Sequence, residues 1–359
     1  MKKYLNKITK NFILTVLILG ISSIVASCTS PTLSFPPETE TPTINQERIP
    51  TSTPTSRPTL TSTPSSLGSQ SNPITIGFVL KPEDSTAIEA AEDVAFLIAD
   101  QTGFQVESLY YPDFSSYTLA AQNGDIHLLW LSPFQYLYLH EQGIADAFLM
   151  TNHLGVYAYG AQFLANEMRG FTSYFDPQNN VNTGSAIEAL QQFAGTRPCF
   201  INNTSIPGFF VPLGFLSKTS TPTLEPVFTY GYSAIIRSLY IQGICDFGAT
   251  YALTGDPRSA SDVLQDLPDA RELVTVIWQS EGIIPNISLS ASADVPENIK
   301  YQLQEAILDI QDNPEGLSLL SIALNYEISA LKTINDSYYD PLREIIAPLY
   351  LDLETLTQQ

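Results

Sequence analysis

The side chains best suited to binding a ligand lie in one polar turn, Asn202–Ser205. The apolar run Cys199–Ile201 before this turn predicts a buried strand. Pro207 and Gly208 separate the turn from the apolar segment Phe209–Leu216, which predicts a helix. A turn of this kind directs free backbone N–H groups and hydroxyls at one point, where the helix dipole favours negative charge. The stretch is therefore a candidate anion-binding site, and an ordinary strand-to-helix loop is the alternative.

The other reactive side chains do not follow a catalytic or metal-binding pattern. The three histidines, His127, His140 and His153, are scattered, and His127 lies in an apolar run where a core histidine is expected. The sequence has no metal-ligand spacing, no Ser/His/Asp order and no phosphate-loop motif. We therefore expect a protein that is not an enzyme and that uses no metal and no cofactor.

The first 27 residues predict a cleaved export signal. Four lysines precede an apolar core, Phe12–Val25, that is too short for a comfortable membrane span. Val25–Cys28 resembles a bacterial lipobox, in which Cys28 is lipidated and becomes the new N-terminus. An uncleaved anchor helix is the alternative. The short core and its interruption by Gly20 argue against that alternative.

A low-complexity segment follows the predicted lipid anchor. Thr29–Asn72 has 44 residues, of which 20 are Ser or Thr and eight are Pro. Such a composition cannot bury enough apolar surface to offset its ordering entropy, so residues 28–72 are predicted to be a disordered tether. The mature chain has 12 basic and 37 acidic side chains, a net charge of −25. That charge argues against binding to nucleic acid.

The two remaining cysteines, Cys199 and Cys245, both lie in apolar runs that predict strands. Export makes a disulfide between them possible. Two buried thiols on neighbouring strands are an equally good interpretation.

Strands and helices alternate from Pro73 onward, which predicts doubly wound α/β lobes. The predicted strands are Ile74–Val79, Gln105–Tyr110, Asp125–Leu131, Tyr157–Leu164, Cys199–Ile201, Pro226–Thr229, Cys245–Tyr251 and Leu273–Trp278. Ser85 is expected to cap the first helix. Ligands in such lobes bind beyond the carboxyl ends of the strands. The loops Lys81–Asp84, Tyr111–Ser115 and Ser132–Tyr136 are therefore expected to face one cleft.

Four segments, taken in order, resemble the phosphonate/phosphate/phosphite-binding proteins of ABC transporters. The segments are Asp125–Tyr136, Gly208–Pro212, Gly243–Ala249 and Val276–Asn286. The resemblance implies an α/β, two-lobed type II periplasmic-binding fold with a two-strand hinge. It divides the chain into a first lobe over 73–164, a second lobe over 165–284 and a return to the first lobe over 285–359.

The resemblance also implies a ligand site, although the residues at its centre differ. The family's Ser-Thr-Ser-Gly anion motif falls on Ser205–Gly208, where Ile206 and Pro207 replace hydroxyl donors and Pro207 lacks a backbone N–H. The family's histidine falls on Tyr232. The predicted ligand-binding residues are Thr204, Ser205, Gly208, Phe209, Ser132, Pro133, Tyr136, Phe114, Tyr159 and Tyr232.

These replacements change the expected ligand. A phosphonate dianion needs several donors to offset its desolvation. A less charged or larger ligand, or an altered mode of anion binding, suits the aromatic cleft better. The alternative is a site that has lost binding, in which the aromatic side chains only pack the lobes.

The resemblance predicts a lipid-anchored solute-binding protein that captures a small molecule, with a phosphonate- or phosphate-like oxyanion as one candidate. Its partner would be an ABC permease, and it would lie outside the cytoplasm on the membrane. An envelope sensor or interaction protein with the same fold is the alternative. A neighbouring sensor-kinase gene would favour the sensor, whereas neighbouring permease and ATPase genes would favour transport.

Overall fold

A computed structural model describes residues 65–357. The predicted signal peptide, Cys28 and most of the predicted tether lie outside the described residues. The tether prediction extends too far, because Leu67 packs on the first-lobe core and the Gln105 N–H donates to the Gly68 carbonyl at 2.8 Å. Among residues 65–357, no helix has the length and apolar character to span a bilayer.

The first third of the described chain alternates strands and helices, as predicted, except that its last strand, β4, was not expected. Its elements are β1 (Ile74–Val79), α1 (Ser85–Thr102), β2 (Val106–Tyr111), α2 (Phe114–Gln122), β3 (Leu128–Leu131), α3 (Pro133–Glu141) and β4 (Ala145–Asn152). The cap of α1 is Asp84, whose carboxylate accepts from the Ala87 N–H, and not the predicted Ser85. Gly103 ends this helix at φ 73°, a conformation that glycine adopts without strain.

The middle of the chain forms the second lobe. Its elements are β5 (Ala158–Asn166), β6 (Phe175–Asp176), β7 (Val181–Asn182), α4 (Ala186–Leu190), β8 (Pro198–Phe200), α5 (Val211–Lys218), β9 (Val227–Phe228), α6 (Tyr232–Ile241), β10 (Phe247–Ala252), α7 (Ser261–Asp266), α8 (Ala270–Leu273) and β11 (Val274–Gln279). A single π-helical turn, Ile206–Phe210, precedes α5.

The last part of the chain completes both lobes. Its elements are β12 (Ile284–Pro285), β13 (Ser288–Ser292), α9 (Glu297–Ile310), α10 (Pro314–Ala323), β14 (Ala330–Thr333), α11 (Asp340–Ile346) and α12 (Leu353–Thr357). Short 3₁₀ turns occur at Glu167–Arg169, Gln191–Phe193, Pro257–Ser259, Asp336–Tyr339 and Ala347–Leu349.

The first sheet has the strand order β14-β4-β13-β3-β1-β2. β1 pairs in parallel with β2 and β3, whereas β13 runs antiparallel to both β3 and β4. The sequence pattern does not predict the strands β4, β13 and β14. The apolar pattern does not indicate β13, because its sequence, Ser-Leu-Ser-Ala-Ser, has few apolar side chains. All five residues are nevertheless buried.

The second sheet has the order β11-β5-β10-β8-β9. The sequence predicts β5 in the first lobe, but this strand pairs with β10 and β11 of the second sheet. The chain therefore leaves the first sheet after Asn152, and the lobe boundary at 164 was placed too late. The predicted two-strand hinge is present, since Tyr159 at the start of β5 pairs with Ile284 of β12.

Cys199 and Cys245 form a disulfide that joins β8 to the segment before β10. Both residues are buried. Of the two interpretations left open by the sequence, the disulfide is the one that the structure shows.

The C-terminal helices contact both lobes. The helix α12 packs on α3 of the first lobe, as the resemblance implied. The helix α11 instead packs on α5 of the second lobe, where Lys218 forms an ion pair with Glu344. A Cβ on Gly214 would come within 2.2 Å of the Ile345 carbonyl oxygen, so this contact requires glycine. The last segment therefore contacts the second lobe through α11 in addition to its contacts with the first lobe.

Candidate functional site

Two cavities lie on either side of the turn Ser205–Pro207. We call the first the hydroxyl cavity; it has a volume of about 410 Å³ and is lined by Asp113, Phe114, Ser115, Ser132, Phe134, Gln135, Thr204, Ile206, Leu356 and Thr357. We call the second the tyrosine chamber; it has a volume of about 330 Å³ and is lined by His153, Leu154, Tyr159, Pro207, Tyr232, Tyr251, Thr254 and Tyr326. Both volumes lie within the range of small-molecule sites.

Residues at the starts of α2 and α3 build the first-lobe side of the hydroxyl cavity. The Asp113 carboxylate caps α2 and accepts from the Ser116 N–H at 2.8 Å. That hydrogen bond lowers the pKa of Asp113, so the group is ionised at neutral pH. At the start of α3, the Ser132 N–H donates to Oε1 of Gln135 at 2.9 Å. The cavity therefore offers neutral hydroxyls beside a fixed negative charge.

The turn that was predicted to bind an anion satisfies much of its own hydrogen bonding. The Thr204 hydroxyl donates to Oδ1 of Asn202 at 3.0 Å, and Ser205 Oγ accepts from the Gly208 N–H at 3.1 Å. Ser205 Oγ also lies 3.3 Å from the Tyr232 hydroxyl. The π-helical turn begins directly after Ser205, so Ile206 faces one cavity and Pro207 the other.

Both lobes contribute to the tyrosine chamber. Tyr159 comes from the hinge, and Tyr232 and Tyr251 come from the second lobe, where their rings form an edge-to-face pair with centroids 4.9 Å apart. Tyr326 comes from the loop before β14 in the first lobe, and it stacks on His153 with centroids 4.2 Å apart. Nδ1 of His153 lies 2.7 Å from the Glu327 carbonyl, which positions the imidazole.

Burial raises the pKa of the chamber hydroxyls further above physiological pH. Desolvation raises the pKa of Tyr159 well above its usual value, and the nearby Tyr232 and Tyr326 raise it further. Desolvation also raises the pKa of Tyr232, Tyr251 and Tyr326. Each hydroxyl therefore keeps its proton at physiological pH and can donate or accept a hydrogen bond.

The structure brings half of the predicted ligand-binding residues to the two cavities. Phe114, Ser132 and Thr204 line the hydroxyl cavity, and Tyr159 and Tyr232 line the tyrosine chamber. Ser205 and Gly208 lie between the two, in the turn itself. A Cβ on Gly208 would come within 2.6 Å of the Ile201 side chain.

Three predicted residues belong to the core instead. Tyr136 is fully buried, and its hydroxyl donates to Oδ1 of Asp336 at 2.7 Å. Pro133 is buried in the first turn of α3. Phe209 packs edge-to-face on Phe200 in the second lobe. These side chains pack against the protein core and do not line either cavity.

The cavity residues that the sequence does not predict include His153, Tyr251, Tyr326 and Asp113. Tyr251 lies near the carboxyl end of β10, a position that could have identified it. Asp113 lies in a loop that was expected to face the cleft. Tyr326 and His153 flank β14 and β4, which the sequence analysis did not assign, so only the structure identifies them.

The chain is similar in fold to several solved structures and matches one family model. A search of solved structures finds XAC2383 from Xanthomonas citri bound to chloride, with a TM-score of 0.53, 12% identity and coverage of 79% of this chain and 98% of that one. The ATP-bound form of the same protein gives a TM-score of 0.52 at 12% identity, covering 81% of this chain and 98% of that one. PhnD1 from Prochlorococcus marinus in complex with methylphosphonate has a TM-score of 0.47 and 14% identity, covering 77% of this chain and 97% of that chain. Among curated proteins, no sequence matches the chain.

The fold is that of type II periplasmic-binding proteins. The family model for the phosphonate periplasmic substrate-binding protein of ABC transporters matches residues 76–339. The chain therefore belongs to this family and is a periplasmic substrate-binding component of an ABC transporter. Periplasmic binding proteins act outside the cytoplasm.

Proposed function

We propose that this chain is a lipid-anchored receptor that closes its two lobes on a small molecule and delivers it to an ABC permease. The main support for the proposal is that residues from both lobes line each of the two cavities. The hydroxyl cavity takes Ser132 from the first lobe and Thr204 from the second, and the tyrosine chamber takes Tyr326 and Tyr232 in the same way. A ligand that contacts both lobes stabilises the closed arrangement.

The hinge supports the same proposal. Within residues 65–357, the two sheets are connected by the short segments between β4 and β5 and between β11 and β13, and Ile284 pairs with Tyr159 where these connections cross. A Cβ on Gly160 would come within 2.8 Å of the Ser280 carbonyl, so the strands approach closely at this point. A change of backbone angles at such a crossing would move one lobe relative to the other.

Membrane attachment would come from Cys28. The lipobox-like Val25–Cys28 and the Ser/Thr/Pro-rich tether support a receptor that is lipidated at Cys28 and held at the membrane near its permease. The prediction is that Cys28→Ala moves the protein from the membrane fraction to the soluble extracytoplasmic fraction. Cys28→Ala protein that stays with the membrane would contradict the lipid anchor.

Ligand capture is tested with the mature chain carrying Cys28→Ala, which keeps the whole mature sequence without lipid. Thermal-shift screening should find a small molecule that raises the melting temperature, since a ligand that binds only the folded state stabilises it by mass action. Uptake of that molecule by cells should fall when the chain is deleted. A ligand that binds without any effect on uptake would instead favour an envelope sensor.

A further inference from the structure

We propose that the tyrosine chamber is the main ligand-binding subsite and that its ligand is an uncharged organic molecule with several hydrogen-bonding groups, in place of a phosphonate dianion. This inference rests on the proposed function, because it assumes that the cleft captures a ligand. It adds the class of ligand and the residues that select it.

Unused hydroxyls point to hydrogen bonding in the chamber. In the described part of the chain, the hydroxyls of Tyr159, Tyr251 and Tyr326 have no hydrogen-bond partner. All three line the same cavity. Tyr159, Tyr232 and Tyr326 come from the hinge, the second lobe and the first lobe, so the chamber hydroxyls surround the cavity from both lobes. Convergent hydroxyls without protein partners are arranged to bond a polar ligand.

The walls of the chamber combine apolar surface with polar groups, which include His153 and Thr254. Leu154 and Pro207 contribute aliphatic surface, and the tyrosine rings contribute aromatic surface. A ligand that fits must therefore present an apolar face as well as polar edges. Cyclic polyols, sugars, nucleosides and nucleobases have this combination, and their size suits a cavity of about 330 Å³.

The charges near both cavities disfavour a dianion. Within residues 65–357, neither cavity is lined by Lys or Arg, the side chains that usually pair with a phosphonate. The hydroxyl cavity instead contains the ionised Asp113, which repels an anion. The mature chain, at −25, adds a long-range repulsion of the same sign. An uncharged ligand needs no counter-charge to leave water.

The turn between the cavities supports this selectivity. Pro207 has no backbone N–H, and the Gly208 N–H is capped by Ser205 at 3.1 Å. Two backbone donors that could bind an anion are therefore missing or occupied. Pro207 also lies in the wall of the chamber. A proline at this position therefore removes a backbone N–H donor and adds apolar surface to the cavity.

The test is a thermal-shift and calorimetric comparison on the mature Cys28→Ala chain. The uncharged probes are monosaccharides, myo-inositol, nucleosides and nucleobases, and the dianionic probes are inorganic phosphate and methylphosphonate. At least one uncharged probe should raise the melting temperature, and the dianions should not. The affinity for that probe should change little between about 0.05 M and about 0.5 M NaCl, because no charge pair is formed.

Three variants identify the subsite. Tyr251→Phe and Tyr326→Phe each remove one chamber hydroxyl and keep the ring, and each should weaken binding of the uncharged probe by about threefold to tenfold. Tyr301→Phe, at an exposed position of α9, is the matched control and should bind as the parent chain does.

Different results would contradict the proposed ligand class and the proposed receptor function. Tight binding of phosphate or methylphosphonate that is weakened by Ser132→Ala but not by the tyrosine variants would overturn the inference and leave the receptor function intact. An uncharged probe whose affinity is the same in all variants would also overturn the inference. If no probe of either class binds, the receptor function is contradicted and the inference falls with it.

Discussion

Removal of the Cys199–Cys245 disulfide should destabilise the protein strongly. The bond closes a loop of 46 residues between β8 and the start of β10. The chain-entropy relation gives a stabilisation of about 4 kcal/mol for a loop of this length at room temperature. A loss of that size lowers the melting temperature of a domain of about 290 residues by about 6–7 °C, because the unfolding entropy grows with the number of residues. The double variant Cys199→Ala/Cys245→Ala isolates the effect, because both side chains are buried and small.

The assay is urea unfolding followed by tryptophan fluorescence, with the Cys28→Ala chain as the parent. Reduction of the parent should lower its free energy of unfolding by nearly the same amount as the double substitution, and reduction should leave the double variant unchanged. A loss below about 1 kcal/mol would contradict the entropic reasoning. Two free thiols per chain in denatured, extracytoplasmic protein would contradict the bond itself.

Two further substitutions test other parts of the fold. Gly214→Ala should lower the free energy of unfolding by about 1–3 kcal/mol, because the new Cβ would meet the Ile345 carbonyl where α11 packs on α5. The control is Gly231→Ala, since Gly231 has open space around it and an extended φ of −173°. This control should cost less than about 1 kcal/mol. At Asp336, burial raises the carboxyl pKa, but the Arg343 guanidinium and the Tyr136 hydroxyl together outweigh burial and hold the pKa below its usual value. Stability from this pair is therefore present above about pH 4 and lost at lower pH. Asp336→Asn should lower the free energy of unfolding by about 1–2 kcal/mol at neutral pH, a modest value because the side chain is 39% exposed. The unfolding free energies of the parent and the variant should converge in acid. A difference that stays constant across pH would contradict the role of the Asp336 carboxylate.

The sequence predicted the fold class because its strongest signals are local. Continuous apolar strands such as Leu128–Leu131 and capped helices such as Ser85–Thr102 are specified by their own residues. The strands β4, β13 and β14 depend on distant partners. β13, for example, consists mostly of small polar side chains that are buried only because two neighbouring strands cover them. Burial of this kind cannot be read from a local pattern.

The sequence predicts where the candidate site lies better than it predicts which side chains line it. The turn Asn202–Ser205 was expected at the cleft, and Thr204 does line a cavity. The direction of individual side chains depended on the π-helical turn Ile206–Phe210, which the apolar pattern did not indicate. Tyr136 was misassigned for a similar reason, since its hydroxyl bonds to Asp336, two hundred residues away along the chain.

The measurement that tests the central claim most directly is a crystal structure of the mature Cys28→Ala chain with the uncharged probe that binds most tightly. We predict that the probe lies in the tyrosine chamber, with hydrogen bonds to Tyr159 and Tyr251 and contacts to both lobes. A probe bound only in the hydroxyl cavity, beside Asp113 and Ser132, would contradict the assignment of the chamber. A probe bound outside the cleft would contradict the receptor mechanism itself.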